Sequence, residues 1–189
     1  MNRTTAAVVA VLIFGPCFFA LARSSKKEPE QTGPAVLDTD IAVYFSPKGG
    51  CEEAVVEQVK AAKKTIDLQA YTFTNKDIAK AVGEAQERGV KVRAIFDRKE
   101  NGSQYSSATY LFDHKVATFL DGKHPIAHNK IIIIDSKIVL TGSYNFTEQA
   151  NNNGENLLVI NRAKVAAGYE ANFEKHLEHS EKYEGVKAP

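Results

Sequence analysis

Hydrophobic positions along the chain switch repeatedly between a period of two and a period near 3.6. Residues 41–45, Ile-Ala-Val-Tyr-Phe, are a β-branched and aromatic run closed by Ser46-Pro47-Lys48-Gly49-Gly50, which predicts a strand and a turn. Residues 51–64 carry Val55, Val59 and Ala62 at helical spacing, and residues 65–73 read as a second strand. Thr74-Asn75-Lys76-Asp77 offers a helix cap with an acid three residues on. The helix it starts carries Ile78, Ala81, Val82 and Ala85 and stops at Gly89. Residues 90–97 predict a strand, 99–107 a polar loop, 108–112 a short helix and 116–120 another strand. Residues 131–134 and 137–141 form a strand pair about a tight turn at Asp135-Ser136. A strand at 157–160 and a closing helix over 163–182 complete the pattern. Strand–helix alternation with β-branched runs predicts an α/β fold, a mixed, mostly buried β-sheet flanked by helices.

The first 22 residues differ from the rest. Arg3 precedes an apolar stretch from Ala6 to Leu21, interrupted by Gly15-Pro16 and closed by Ala20-Leu21-Ala22. A short basic start, an apolar run and a small-x-small end are the layout of a secretory signal peptide. The rival reading is an uncleaved membrane anchor, for which the run falls short of the roughly 20 apolar residues of a span. Residues 23–39 are polar, hold Lys26, Lys27, Pro29, Gly33 and Pro34, and read as a linker. The folded domain is then 40–185. The expected location is outside the cytoplasm, periplasmic or secreted, or at a membrane if the first segment stays attached.

Charge and cysteine content narrow the chemistry. Formal net charge is +1, and Arg3 is the one ionisable side chain of the first 22 residues, so the remaining chain is neutral. A polyanion partner would therefore have to be met by local positive charge. Cys17 falls in the apolar run, which leaves Cys51 alone: no intramolecular disulfide and no cysteine-based zinc site follow. Cys51 reads as a small, half-buried residue at a helix start, or as a partner for a disulfide between chains.

The chemistry concentrates in His128-Asn129-Lys130, four isoleucines, Asp135 and then Gly142-Ser143-Tyr144-Asn145. His128 and Lys130, two apart in an extended segment, face one side. A neutral imidazole can attack phosphorus, and an ammonium beside it can neutralise phosphate oxygens. Ser143 and Asn145 add hydrogen-bond donors, and Gly142 lets backbone approach closely. Singly, each is an ordinary strand-end or turn residue. As a set they resemble the phospholipase D superfamily, whose H-x-K-x4-D-x6-G-S-x-N signature is met at every position. Val43-Tyr44-Phe45-Ser46-Pro47, the Ala70–Phe73 segment and Asn153-Gly154-Glu155-Asn156 resemble its single-motif bacterial branch, the Nuc-type endonucleases.

That resemblance implies a phospholipase D-like fold and a phosphodiesterase. In it His128 is the nucleophile, Lys130 and Asn145 bind phosphate, and Ser143 supports the phosphate or orients the histidine. Asp135 belongs to the motif set and holds the turn locally, and Glu155 fixes the imidazole tautomer. It implies no cofactor or metal, a nucleic acid substrate cut without sequence preference, and a homodimer sharing one site. A phospholipase acting on lipid head groups is the alternative within the same chemistry. A catalytically silent, membrane-tethered scaffold is the alternative from another class, and the complete motif argues against it. Of the other histidines, His114 lacks the motif's spacing and His124 reads as a loop position. His176 and His179, three apart, permit metal binding but lack a third ligand in sequence and read as exposed helix residues.

Overall fold

The computed structural model describes residues 35–38, 40–101 and 106–185. The apolar N-terminal segment and most of the linker lie outside the described residues. The elements are β1 (Ala35–Asp38), β2 (Ile41–Ser46), α1 (Cys51–Ala61), β3 (Thr65–Ala70), α2 (Lys76–Glu87) and β4 (Lys91–Asp97). They continue as α3 (Arg98–Asn101), α4 (Ser107–Asp113), β5 (Ala117–Asp121), β6 (Lys130–Ile134) and β7 (Ile138–Gly142). A 3-10 turn (Glu148–Asn152), β8 (Glu155–Asn161), α5 (Ala163–Leu177) and β9 (Glu181–Lys182) finish the chain.

Among the described residues the strands form one nine-stranded sheet in the order β1-β2-β8-β7-β6-β3-β4-β5-β9. The neighbours β3-β4-β5 run parallel and every other pair is antiparallel, so the sheet is mixed, as expected. β6 lies at the centre, and all five of its residues are buried. On one face α1 and α2 pack Val55, Val59, Ile78 and Val82 against Ile66, Leu68, Ile132 and Ile134. On the other, α5 lays Ala166 and Phe173 over Ile95, Ile131, Ile133 and Val139. Alternate isoleucines of β6 thus serve opposite faces, the period-two rule for a buried strand. Arg93 pins α5 to that face. Its guanidinium donates to both oxygens of Asp67 at 2.7 Å and to Glu174 at 2.7 Å, and lies 4.9 Å from the Phe173 ring centroid.

Several boundaries differ from the sequence expectation for identifiable reasons. Residues 35–38, assigned to the linker, are a strand: Ala35 and Val36 pair with Val43 and Ala42 of β2. Helix α1 ends at Ala61 rather than 64, because the Lys63 and Lys64 amides donate to the Asp135 carboxylate instead of continuing the helix. β3 stops at Ala70, and the Tyr71 amide turns to the Asn129 carbonyl at 2.8 Å. The closing helix ends at Leu177, and residues 181–182 pair with β5 as β9, held by buried Tyr183. α2 follows expectation: the Asn75 side chain accepts from the Ile78 amide at 2.9 Å. Cys51 is buried at the start of α1, and burial pushes its thiol up to about 11. No helix of the described residues is long and apolar enough to cross a membrane.

Candidate active site

Strand register gathers the motif at one edge of the sheet. Lys130 opens β6 and pairs with Ala70 at the carboxyl end of β3. The β6–β7 hairpin sets Ile131 against Thr141, so Gly142 and Ser143 return beside Lys130 and His128. β8 starts at the same edge, with Gly142 against Leu157 and Ser46 against Glu155. The carboxyl ends of the parallel strands β3, β4 and β5 lie along this edge too, the usual place for a site in an α/β sheet.

His128 is exposed, in the extended segment just before β6. Its ring sits 4.6 Å from that of Tyr71. Lys130 is buried, with its ammonium 5.4 Å from the Tyr71 centroid and donating to the His128 carbonyl at 3.1 Å. Tyr71 therefore lies against both groups. Burial lowers the Lys130 pKa and the negative charge of Glu155 opposes that shift. Desolvation, with Glu100 and Asp97 nearby, raises the Tyr71 hydroxyl.

Ser143 is exposed, and its Oγ accepts from the Asn156 amide at 3.1 Å and from Asn156 Nδ2 at 3.3 Å. The hydroxyl proton stays available to a ligand. Gly142 is required by close approach: a Cβ there would stand 2.2 Å from the Asn156 carbonyl oxygen. Asn145 is part-buried, and its side-chain oxygen is buried without a hydrogen-bond partner. Its neighbours Tyr144 and Phe146 are fully buried and clamp the segment into the core. Tyr144 donates to Asn151 at 2.5 Å, and Asn151 and Asn75 both donate to Glu52.

Two motif-linked residues are placed differently from the rest. Asp135 sits at the far end of β6, about 16 Å along the strand from Lys130 at roughly 3.3 Å per residue. Its carboxylate accepts from the Lys63, Lys64 and Thr65 amides at 2.9, 2.6 and 2.9 Å. It is a strut for the turn and not part of the reacting group. Glu155 lies at the site edge, where its carboxylate accepts from Asn153 at 3.2 Å, and its charge reaches Lys130. Sequence reasoning gave no role to Tyr71, Asn156 or Asp97, although Tyr71 and Asn156 lie in segments that carry the family resemblance. Asp97 Oδ2 accepts from the Ala127 amide at 2.8 Å, which fixes the segment leading into His128. Asp97 has no local signal beyond being an acid at a strand end.

Comparison with known proteins agrees with this geometry. Residues 55–177 match the family described as "Cardiolipin synthase, PLD-like domain". A protein named phospholipase D from Rickettsia prowazekii is 39% identical over 136 residues, covering 71% of this chain and 66% of that protein. A solved phospholipase D family member, Nuc from Salmonella typhimurium, superposes with a TM-score of 0.73 at 33% identity over 79% of this chain and 98% of that one. NucT from Helicobacter pylori superposes at 0.71 with 26% identity, over 76% of this chain and 98% of that one.

Proposed function

The chain belongs to the phospholipase D superfamily of phosphodiesterases, and from that premise we propose that it is a nuclease working through a phosphohistidine. His128 attacks phosphorus while Lys130 and the Ser143 hydroxyl hold the non-bridging oxygens. Asn145 completes the phosphate grip. A second His128, from a two-fold related copy, protonates the leaving oxygen. The reaction runs on protein groups, so no metal enters the chemical step.

The observation that carries nucleic acid over lipid is the charge around the site. Exposed Lys48, Lys99 and Lys123 follow β2, β4 and β5, all at the sheet edge that holds His128. With Lys130 these lysines give a phosphate backbone four cations to follow along an edge that also holds Glu100 and Glu155, and no element there is built to read base edges. A lipid reading has its own support: Ile126, two residues before His128, is 58% exposed, and Phe45 is 41% exposed. The Rickettsia relative's name points the same way. Two side chains make a small rim, however, and a two-fold contact would cover such residues equally well.

The test is purified chain assayed on single-stranded DNA, duplex DNA, RNA and phosphatidylcholine vesicles at two salt concentrations. Nucleic acid cleavage that weakens with salt, and falls more than about a thousandfold in His128→Ala, is the expected result. Choline release without nucleic acid cleavage would overturn it in favour of the lipase.

A further inference from the structure

Three histidines and one aspartate outside the motif converge on one point. Asp121 ends β5, and its side chain is fully buried. His124 follows three residues later in the segment leading to His128. His176 lies in the last turn of α5, and His179 just beyond that helix. His124 Nδ1, His176 Nδ1 and His179 Nε2 stand 3.0, 2.9 and 3.2 Å from the same atom, Asp121 Oδ2. The ring centroids are 4.9 to 5.4 Å apart. The four ligand atoms all lie within 4.8 Å of one another.

Hydrogen bonding alone does not account for this arrangement. Asp121 Oδ1 already accepts from the Lys123 amide at 3.0 Å, with the His124 amide at 3.4 Å. Three imidazole nitrogens on Oδ2 bring five donors to a carboxylate with about four lone-pair sites.

We propose that Asp121, His124, His176 and His179 form a four-ligand site for a divalent transition metal of the zinc class. Three imidazoles and one carboxylate are a donor set for a borderline ion, and four ligands close a tetrahedral shell. A tetrahedron with metal–ligand bonds of about 2.05 Å has edges of about 3.3 Å. The present nitrogen–oxygen separations need to open by a few tenths of an ångström, and the nitrogens, which lie within 4.8 Å of one another, need to draw together by up to about 1.5 Å. The site is structural: with no open position it offers nothing to substrate. It lies at the same sheet edge as His128, three strands over, about 14 Å away at roughly 4.8 Å per strand. Its effect is to staple the end of α5 to the root of the segment that carries His128. Asp121 and His124 begin that segment, and the Asp97–Ala127 bond holds its far end.

The experiment uses full-length chain stripped by EDTA dialysis and titrated with Zn²⁺ alone, then with Co²⁺. Calorimetry is expected to give one Zn²⁺ per chain at micromolar affinity or better. The melting temperature is expected to rise by about 5 °C or more, with Mg²⁺ giving no such rise. Co²⁺ should give the intense visible bands of tetrahedral coordination. His124→Ala, on an exposed loop, should weaken Zn²⁺ at least tenfold with an unchanged circular dichroism spectrum, and His176→Ala with His179→Ala should abolish binding. Absence of a one-to-one Zn²⁺ event in the wild type, or equal affinity in the wild type and His124→Ala, overturns the proposal. Nuclease activity takes no part in these readings, so the site stands or falls apart from the proposed reaction.

Discussion

The two ends of strand β6 carry charges of opposite sign and treat them oppositely. At the amino end a buried ammonium, Lys130, donates among the described residues to a single carbonyl and rests against the Tyr71 ring. Burial destabilises its charge. At the carboxyl end the Asp135 carboxylate accepts three backbone amides, and these outweigh its partial burial to lower its pKa. One end keeps unspent hydrogen-bonding capacity, two further donors on Lys130, while the other uses its capacity on the fold. An under-satisfied charge on a rigid strand is what an anionic substrate can complete, and a satisfied one is a brace.

The largest expected effect breaks the first end. Lys130→Met keeps bulk but removes charge, so turnover should fall by about a thousandfold. The melting temperature should hold or rise, because a desolvated ammonium is gone. Steady-state kinetics with a thermal melt checks both, and a variant within tenfold of wild-type turnover would show that Lys130 is not the phosphate clamp. At the other end, Asp135→Ala should lose about 2 kcal/mol of stability, the scale for hydrogen bonds to a charged acceptor. The turnover of its folded fraction should stay within about twofold. A urea titration paired with an activity assay decides, and the idea fails if activity drops while stability does not.

The smallest effect is in pH, and it has opposite signs at the two ends. Asp135 has a folded pKa below its unfolded value. Its stabilisation is complete above the unfolded value and drains away as pH falls through the folded one. The stability margin of wild type over Asp135→Asn should therefore start to shrink only below about pH 5 and keep shrinking as pH falls past the ordinary aspartate value of about 3.9, read by urea midpoints. Lys130 has a folded pKa below that of an ordinary lysine, so turnover should decline on the alkaline side before about pH 10.4. An activity profile flat up to that pH would contradict the buried ammonium.

Much of this contrast is visible in the chain itself, because it depends on neighbours in sequence. The motif from His128 to Asn145 lies on one hairpin, so a spacing rule suffices to bring Lys130 opposite Gly142. The Asp135-Ser136 turn was legible for the same reason: both residues adopt positive φ, 53° and 55°, and the Lys137 amide closes the turn on the Ile134 carbonyl at 3.0 Å. What Asp135 binds was not legible, since residues 63–65 lie some 70 positions away. The histidine cluster failed in the same way. His176 and His179 read as exposed helix residues because their third and fourth partners, Asp121 and His124, arrive only when β5 and α5 meet across the sheet. The end of α5 was misjudged because residues 178–182 are polar enough for an exposed helix end, and only the vacant edge of β5 makes residues 181–182 a strand.

Gly142 carries a consequence for heredity. The Asn156 carbonyl fills the volume in which any other amino acid begins, and it accepts from the Tyr144 amide at 3.1 Å while the Asn156 amide donates to Ser143. Every missense change in that codon, however small the new side chain, drives its first carbon into backbone that cannot rotate away without releasing the serine. The position has no conservative allele, so a search for tolerated substitutions there would return glycine.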